Sequence, residues 1–316
     1  MSGGLPGPVT CVCGPTASGK SAVADLVASS MGCPVVSVDA MQVYRSMDIG
    51  TAKTPIAERR AELLMVDVAG FDEPYSAALF QRDARRCVDR SLETAGCAVL
   101  CGGTGLYLDA VIDEMDFPSG DAASGPRARY EAVARERGPE ALWTLLRDRD
   151  PESAAAVHPN NVRRVVRALE LADQGESYAE RTRHLRHRDP HYAARIWALV
   201  PERETLYARI DRRVDEMFAA GLVDEVRALD EAGIRRSATA SQAIGYKEVL
   251  AALDGLCTLD EAREQVKRST RRYAKRQLSW IRRDGRATVV PMGETTVEGA
   301  AALVTDDLRR SVEAGR

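Results

Sequence analysis

The first residues whose types and spacing suit a chemical role are GPTASGKS, from Gly14 to Ser21. They fit the pattern G-x-x-x-x-G-K-[ST] and lie between an apolar run, VTCVC, and a stretch with helical spacing of apolar residues. Backbone N–H groups at a helix start attract anions, Lys20 adds a positive charge, and the Ser21 hydroxyl is the usual ligand for Mg²⁺. We therefore predict that a phosphate chain is bound by Gly14, Pro15, Thr16, Ala17, Ser18, Gly19, Lys20 and Ser21.

A carboxylate follows the second apolar run, PVVSVD, which ends in Asp39. Topology places this residue near the phosphate-binding loop, because the carboxyl ends of parallel strands share one edge of a sheet. Three roles stay open on spacing alone. Asp39 caps a turn or helix, holds Mg²⁺ through water, or acts as a general base.

A third glycine-rich turn lies in CGGTGLYLDA, residues 101–110. Thr104 offers a hydroxyl there, while Gly102, Gly103 and Gly105 allow a backbone or a ligand to approach closely. A simple strand-to-helix turn is the plainer explanation of these glycines. Three such loops at the same edge of a sheet favour a shared site.

The elements around these loops alternate short apolar runs with helical stretches, which predicts an α/β fold with a doubly wound parallel sheet. After residue 116 the sequence becomes rich in Pro, Gly and Ser, then Arg-rich and helical, until the apolar run RIWALV returns at 195–200. We predict a core formed by residues 1–116 and 191–316, interrupted by an all-helical insertion at residues 117–190.

Composition restricts the class of protein. The chain has 316 residues, of which 45% are hydrophobic, and a formal net charge of −3, so any nucleic-acid surface must be a local patch. Its seven cysteines form no CxxC pair, which argues against a zinc site. The start of the sequence lacks the features of a signal peptide, and no window resembles a membrane span. We expect a cytoplasmic protein without a membrane partner.

One stretch is strongly basic. KRSTRRYAKRQLSWIRRDGR, residues 267–286, contains nine Lys or Arg against one acid, with Tyr273 and Trp280 interleaved. A solvated helix face is the usual meaning of such a run, but its one-sided charge favours contacts to a nucleic-acid backbone. Further arginines occur in the insertion, at Arg163, Arg164, Arg167, Arg181, Arg183, Arg186 and Arg188.

Together these residues resemble a known family. GPTASGKS, SVDAMQVYRSMDIGTAK, GGTGLYLDA, SQAIGYKE and AKRQLSWIRR are similar, in order and spacing, to motifs of the bacterial tRNA dimethylallyltransferases, over about residues 9–283. Members of this family attach a prenyl group to adenosine 37, beside the anticodon. The resemblance implies a P-loop NTPase-like core whose loop holds the diphosphate of dimethylallyl diphosphate, which leaves as pyrophosphate.

The resemblance also implies roles for individual residues. Asp39 becomes the general base, Thr104 lies near the reacting centre, and Lys20 and Arg213 hold the diphosphate with Mg²⁺ on Ser21. The adenosine must leave the stacked anticodon loop, and Gln42 and the backbone around it are candidate readers of the flipped base. Ala40 departs from the Ser that is common in the family. The implied tRNA contacts are Asp39, Ala40, Met41, Gln42, Thr104, Arg127, Arg163, Arg164, Val165, Val166, Arg167, Gln242, Ala243, Ile244, Gly245, Tyr246, Lys247, Lys275, Arg276, Gln277, Leu278, Ser279, Trp280, Ile281 and Arg282.

Three other functions compete with this one. An adenylate dimethylallyltransferase uses free AMP, ADP or ATP, but needs neither the helical insertion nor a basic RNA surface. A P-loop kinase or NTPase would bind ATP and transfer or hydrolyse its γ-phosphate. A non-catalytic RNA-binding protein would not need Lys20, Ser21, Asp39 and Thr104 together. We expect a monomer that acts on the anticodon stem-loop of tRNA. The roles of Tyr44, Asp48 and Lys53 stay open, because their turn has a purely structural explanation.

Overall fold

A computed structural model describes residues 6–73, 75–117, 125–184 and 189–315. The chain divides into two compact units. The core unit comprises Met1–Asp113 and Pro190–Arg316, and the helical unit comprises Glu114–Asp189. We describe each unit by itself.

The first part of the core unit alternates strands and helices. Its elements are β1 (Val9–Cys13), α1 (Lys20–Met31), β2 (Val35–Val38), β3 (Leu63–Leu64), α2 (Ala77–Ala95), β4 (Ala98–Gly102) and α3 (Gly105–Ile112). The helical unit follows, with α4 (Gly125–Arg149), α5 (Pro151–Ala156), α6 (Val162–Asp173) and α7 (Tyr178–His184). The core unit then resumes with β5 (Ala194–Val200), α8 (Arg203–Ala219), α9 (Leu222–Glu231), α10 (Tyr246–Leu253), α11 (Leu259–Arg283), β6 (Ala287–Pro291) and α12 (Val297–Ala314).

The strands form one six-stranded sheet in the order β3-β2-β4-β1-β5-β6, and every neighbouring pair is parallel. β1 and β4 are buried along their whole length, which explains their continuous apolar sequences, because a parallel sheet is covered on both faces. The register Cys13↔Gly102 between these strands brings the phosphate-binding loop and the third glycine turn side by side.

Helices cover both faces of the sheet. On one face, Phe80, Ala84 and Val88 of α2 pack in a hydrophobic cluster with Leu100 of β4. The second cluster contains Val23 and Val27 of α1 together with Val304 and Leu308 of α12. This is the predicted doubly wound architecture. The sequence patterns did not reveal two of its strands, the two-residue β3 and the edge strand β6.

The helical unit has a core of its own. Tyr130, Leu142 and Leu146 of α4 pack against Val165 and Leu169 of α6. Within α4 the backbone leaves helical geometry at Gly138, with φ 84° and ψ 165°, and Pro139 follows immediately. The predicted opening of the insertion lies partly outside the described residues, at 118–124, and so do Arg186 and Arg188.

Candidate active site

The loop between β1 and α1 has the geometry of an anion cradle. Ala17 and Gly19 both have positive φ, 63° and 92°, and the Ser18 N–H donates to the Pro15 carbonyl at 3.2 Å. A Cβ at Gly14 would lie 2.6 Å from Ser18 Oγ and 2.7 Å from the Leu199 carbonyl, so only glycine fits there. No side chain caps the start of α1, which leaves its first N–H groups available to an anion.

Two cations line the pocket beside this loop without an acidic partner. Among the described residues, no carboxylate oxygen lies within 4.0 Å of Lys20 Nζ or of the Arg213 guanidinium. Burial lowers the pKa of both groups, and the nearby charge of Arg213 lowers the pKa of Lys20 further. Since two partly buried like charges without counter-ions are unfavourable, this geometry suits an anionic ligand.

Asp39 lies on the same pocket and uses one oxygen as a cap. Its Oδ1 accepts hydrogen bonds from the backbone N–H groups of Met41, at 2.8 Å, and Gln42, at 3.3 Å. Its Oδ2 has no hydrogen bond to any described residue. The capping role is therefore real, and it leaves the second oxygen open to a ligand.

Thr104 joins this turn to the third glycine turn. Its Oγ1 accepts a hydrogen bond from the Ala40 N–H at 3.4 Å and lies 3.5 Å from the Tyr273 hydroxyl. Burial raises the pKa of Tyr273 to about 12, so this phenol stays protonated at neutral pH. The structure thus brings Asp39 and Thr104 together, as their positions in the sequence predict, and adds Tyr273, which the sequence analysis named only as part of the basic run.

The residues enclose a cavity of about 90 Å³. Cys101, at the end of β4, also lines it and lies within hydrogen-bond reach of the Ser21 hydroxyl. Burial raises the pKa of the Cys101 thiol to about 11, so it is a neutral wall of the cavity and no nucleophile. The described residues contain no cluster of three His, Cys, Asp or Glu suited to a metal ion.

Gln42 lies on the cavity, but its amide is already engaged. Its Oε1 accepts from Ser37 Oγ at 2.9 Å, and its Nε2 donates to the Thr51 carbonyl at 3.1 Å. These two bonds hold the side chain against the protein. Reading of a flipped base by Gln42 and the backbone around it therefore stays a prediction, and in this structure the Gln42 amide bonds to the protein.

The expected tRNA contacts separate by exposure. Side chains that reach solvent are Arg163, Arg164, Gln242, Lys247, Lys275, Arg276, Ser279 and Arg282. Side chains or backbone positions that are buried in the interior are Val165, Val166, Ala243, Gly245, Tyr246, Gln277 and Ile281. The buried positions support the surface from within, since a large ligand cannot reach them in this structure.

Two expected RNA-binding arginines are instead paired inside the helical unit. Arg127 makes two hydrogen bonds of 3.0 Å to the carboxylate of Glu170, and Arg167 makes a third at 3.3 Å. The Glu170 side chain is only 5% exposed. Its charge therefore offsets part of the positive charge of both arginines.

Most of the basic run lies on α11, where the ion pairs occur in the first half of the helix. The last residue of the run, Arg286, lies beyond the helix and pairs with Asp113 and Asp284. Arg263, Lys267 and Arg271 form ion pairs with Asp260, Asp215 and Asp211. In the part of the chain that the structure describes, no carboxylate lies within 4.0 Å of the following five cations. They are Arg272, Lys275, Arg276, Arg282 and Arg283, and four of them line a surface groove with Trp280.

The turn after Asp39 has a structural function. Lys53, whose side chain is 4% exposed, donates to the Tyr44 carbonyl and pairs with Asp48 and Asp67. The Glu225 carboxylate accepts the N–H groups of residues 48–50 at 2.7–3.2 Å. These contacts fix the loop that carries Gln42, which answers the question that the sequence left open.

One edge of the parallel sheet carries an anion-binding loop, and Lys20, Arg213 and the Asp39 carboxylate lie beside it. This arrangement defines a P-loop protein in which a carboxylate lies next to the phosphate site. The model of the IPP transferase family matches residues 42–284, and that of isopentenyl transferases matches residues 7–62. The chain belongs to the IPP transferase family and is a prenyl-transferring enzyme.

Individual relatives agree with this assignment. A tRNA dimethylallyltransferase from Kineococcus radiotolerans is 46% identical over 292 residues, 90% of each chain, and one from Streptomyces griseus is 45% identical over 280 residues, 88% of each chain. The crystal structure of a tRNA isopentenylpyrophosphate transferase from Bacillus halodurans is 38% identical, with a TM-score of 0.70 over 97% of both chains. The family and the P-loop NTPase-like fold predicted from the sequence are confirmed.

A more distant structure supports the fold alone. The eukaryotic dimethylallyltransferase acting on tRNA has a TM-score of 0.79 at 24% identity, and the match covers 96% of this chain and 79% of that one. Separately, none of the described helices combines the length and the apolar character that crossing a bilayer requires.

Proposed function

We propose that this enzyme transfers the dimethylallyl group of dimethylallyl diphosphate to N6 of adenosine 37 in tRNA and releases pyrophosphate. The observation that carries the proposal is that Lys20 and Arg213, neither of which has a carboxylate partner among the described residues, share one cavity with the free oxygen of Asp39. An anionic leaving group and a proton acceptor are the two groups that this reaction needs.

The donor side binds and stabilises the leaving group. The N–H groups at the start of α1, Lys20 and Arg213 would surround the diphosphate, where negative charge grows as the C1–O bond breaks. Preorganised donors of this kind are effective because they need no rearrangement during the reaction, and the loss of one typically costs on the order of 100-fold in rate.

The site suits a Mg²⁺ ion that binds the diphosphate of the donor. Mg²⁺ usually keeps several waters and binds through one or two protein oxygens together with substrate phosphates. The Ser21 hydroxyl lines the cavity, which agrees with such a site and needs no larger ligand cluster. The ion would supply further charge stabilisation to the departing pyrophosphate.

At the acceptor, Asp39 removes one proton from N6 of the adenosine. The N6 nitrogen forms a bond to C1 of the donor while the C1–O bond breaks, and the electron pair leaves with pyrophosphate. The Asp39 carboxylate accepts the N6 proton and later loses it to solvent. Because the N6 lone pair is delocalised into the ring, the amine is a weak nucleophile, and proton removal during attack assists it.

tRNA binding is supported by separate surfaces on the two units. The core unit exposes the five unpaired cations of α11, together with Gln242, which precedes α10, and Lys247 in its first turn. The helical unit exposes Arg163 and Arg164 on α6. Because phosphate contacts dominate the affinity of such surfaces, we expect them to hold the anticodon stem-loop while adenosine 37 is flipped. We place the enzyme in the cytoplasm as a monomer, together with its tRNA substrate.

Prenyl transfer from radiolabelled dimethylallyl diphosphate tests the proposal, with Mg²⁺ and either unmodified tRNA or AMP as acceptor. We expect label in tRNA and none after adenosine 37 is changed to guanosine. Label in AMP alone would favour an adenylate dimethylallyltransferase. Consumption of ATP without label in either acceptor would favour a kinase or NTPase.

A further inference from the structure

Gln277 connects the phosphate-binding loop to the Thr104 turn through two hydrogen bonds. Its Oε1 accepts the Thr16 N–H at 2.9 Å, and its Nε2 donates to the Gly103 carbonyl at 2.9 Å. The residue is 5% exposed and lines the cavity. The family resemblance implies a contact of Gln277 to tRNA, and in this structure its amide lies between the two loops.

The surrounding residues are adapted to this connection. A Cβ at Gly103 would lie 2.1 Å from the Gln277 Nε2, so the glycine is needed for the amide to approach the backbone. Ala274, one turn earlier on α11, is fully buried against Leu206 and Ile210 of α8. α8 also carries Arg213, so both sides of the anion site rest on the same pair of packed helices.

We propose that Gln277 is a positioning residue of the prenyl-transfer reaction. Gln277 holds Thr16 and Gly103 at a fixed separation. The Thr16–Ser21 loop binds the diphosphate, and the acceptor lies beside Thr104 and Asp39, so Gln277 sets the distance between the two substrates. This role deepens the proposed function and rests on it. A displacement of about 1 Å between reacting groups costs on the order of 100-fold in rate, so a side chain that fixes their separation strongly affects catalysis.

The first test replaces the amide by an apolar side chain of similar volume. We expect Gln277→Met to reduce kcat/KM for dimethylallyl diphosphate by about 10- to 100-fold. The affinity for inorganic pyrophosphate with Mg²⁺, measured by calorimetry, should fall as well, while tRNA affinity in filter binding stays within about twofold. Gln265→Met is the matched control on the same helix, since among the described residues the Gln265 amide bonds to Ser269 and Arg268 of α11, and the change should leave all three quantities unchanged.

The second test separates positioning from folding. Gln277→Glu retains an acceptor for the Thr16 N–H, but its ionised form cannot donate to the Gly103 carbonyl. The protonated form has an O–H group that restores this bond. Because Gln277 is only 5% exposed, burial favours the neutral form of the introduced carboxyl. We therefore expect kcat/KM of the variant, relative to the unmodified enzyme, to rise as pH falls from 8 to 5. A residue that only fills space would give a constant ratio.

The proposal is overturned if Gln277→Met keeps kcat/KM and pyrophosphate affinity within about twofold, or if Gln265→Met loses as much. If Gln277→Met does not fold, the pH dependence of kcat/KM for Gln277→Glu, relative to the unmodified enzyme, is the deciding measurement. A ratio that does not change with pH rejects the positioning role. Should the unmodified enzyme transfer no label to tRNA, the proposed function fails. Pyrophosphate binding would still show whether Gln277 shapes the anion site.

Discussion

The two carboxylate oxygens of Asp39 have different roles, one structural and one catalytic. Oδ1 holds the turn of Met41 and Gln42, while Oδ2 is open to the cavity. The cap fixes the orientation of the side chain, so the open oxygen has a defined position relative to the donor. A general base on a flexible loop would lose this advantage, because proton transfer requires hydrogen-bond distance to the reacting group.

Asp39→Asn separates the two duties. The amide oxygen can still accept the Met41 N–H, but the side chain no longer accepts a proton at neutral pH. We expect kcat for prenyl transfer to fall by about 100- to 10,000-fold, with tRNA affinity within about threefold of the unmodified enzyme. Single-turnover transfer of label and filter binding measure the two quantities.

Asp150→Asn provides the control for this substitution. Asp150 caps α5 by accepting the Ser153 N–H at 3.0 Å, and it lies in the helical unit. The same change of atoms there should leave kcat unaltered. A near-normal kcat for Asp39→Asn would exclude Asp39 as the base.

At the scale of elements, α11 combines two functions on one helix. Tyr273 and Gln277, four residues apart, point to the cavity, as i and i+4 positions on one face do. Lys275, Arg276 and Ser279 are exposed on the groove. The ion pairs of Lys267 and Arg271 hold the first half of the helix to α8 and leave the second half for RNA.

The paired and unpaired halves of α11 should respond differently to mutation. We expect Lys275→Ala to weaken tRNA binding and to reduce the slope of log K against log salt by about 0.7–0.9, the value for one lost phosphate contact. Lys267→Ala is the matched control, because the Lys267 ammonium is paired with Asp215 at 2.8 Å and with Glu264 at 3.0 Å. Filter binding between 50 and 300 mM salt gives both slopes. Equal slopes for Lys275→Ala and the unmodified enzyme would remove Lys275 from the RNA surface.

The break in α4 depends on glycine for a reason that the sequence does not show. Gly138 has φ 84° and ψ 165°, a region that is essentially restricted to glycine, and a Cβ there would meet no atom within 4 Å. We expect Gly138→Ala to reduce the free energy of unfolding by about 1–3 kcal/mol through backbone strain alone. Urea denaturation measures it, with Gly285→Ala as the control, since that site is also open but lacks a positive φ. Equal losses in the two variants would argue against strain at Gly138.

For the whole molecule, local patterns predicted much of the fold and part of the site. Short apolar runs were sufficient to locate β1, β2, β4 and β5, and the turns after the first three of these strands bring Lys20, Asp39 and Thr104 to one edge. The bond between Thr16 and Gln277 spans 261 residues, and no spacing within the sequence encodes such a pairing. The same limit applies to Arg127, because its pairing with Glu170 joins residues 43 positions apart and no local pattern predicts it.

Charge is also organised at this scale. The chain has a net charge of −3, yet among the described residues cations without a carboxylate within 4.0 Å line the anion cavity and the second half of α11, and Arg163 and Arg164 add two more on α6. Elsewhere many arginines pair with acids, as Arg235 does with Asp230 and Asp254. A molecule of this kind attracts polyanions locally while remaining acidic overall, which limits non-specific binding.

The buried ion network of the helical unit links stability to pH. Burial opposes the charge of Glu170, but hydrogen bonds from Arg127 and Arg167 outweigh it and hold the pKa of this carboxyl below its ordinary value. The unfolded chain therefore takes up this proton at a higher pH than the folded chain does. The resulting stability is complete above the unfolded pKa of about 4.3 and is lost as pH falls through the folded pKa.

Glu170→Gln tests this linkage. We expect the variant to be less stable at pH 7 by about 2 kcal/mol, the scale of a hydrogen bond to a charged group. Its stability should also decline less between pH 5 and pH 3 than that of the unmodified enzyme, because it lacks the group that titrates. Urea denaturation across this range measures both effects, with Glu136→Gln as the control for net charge, since Glu136 is exposed on the same unit. Parallel pH curves for Glu170→Gln and the unmodified enzyme would show that this network does not stabilise the helical unit through its charge.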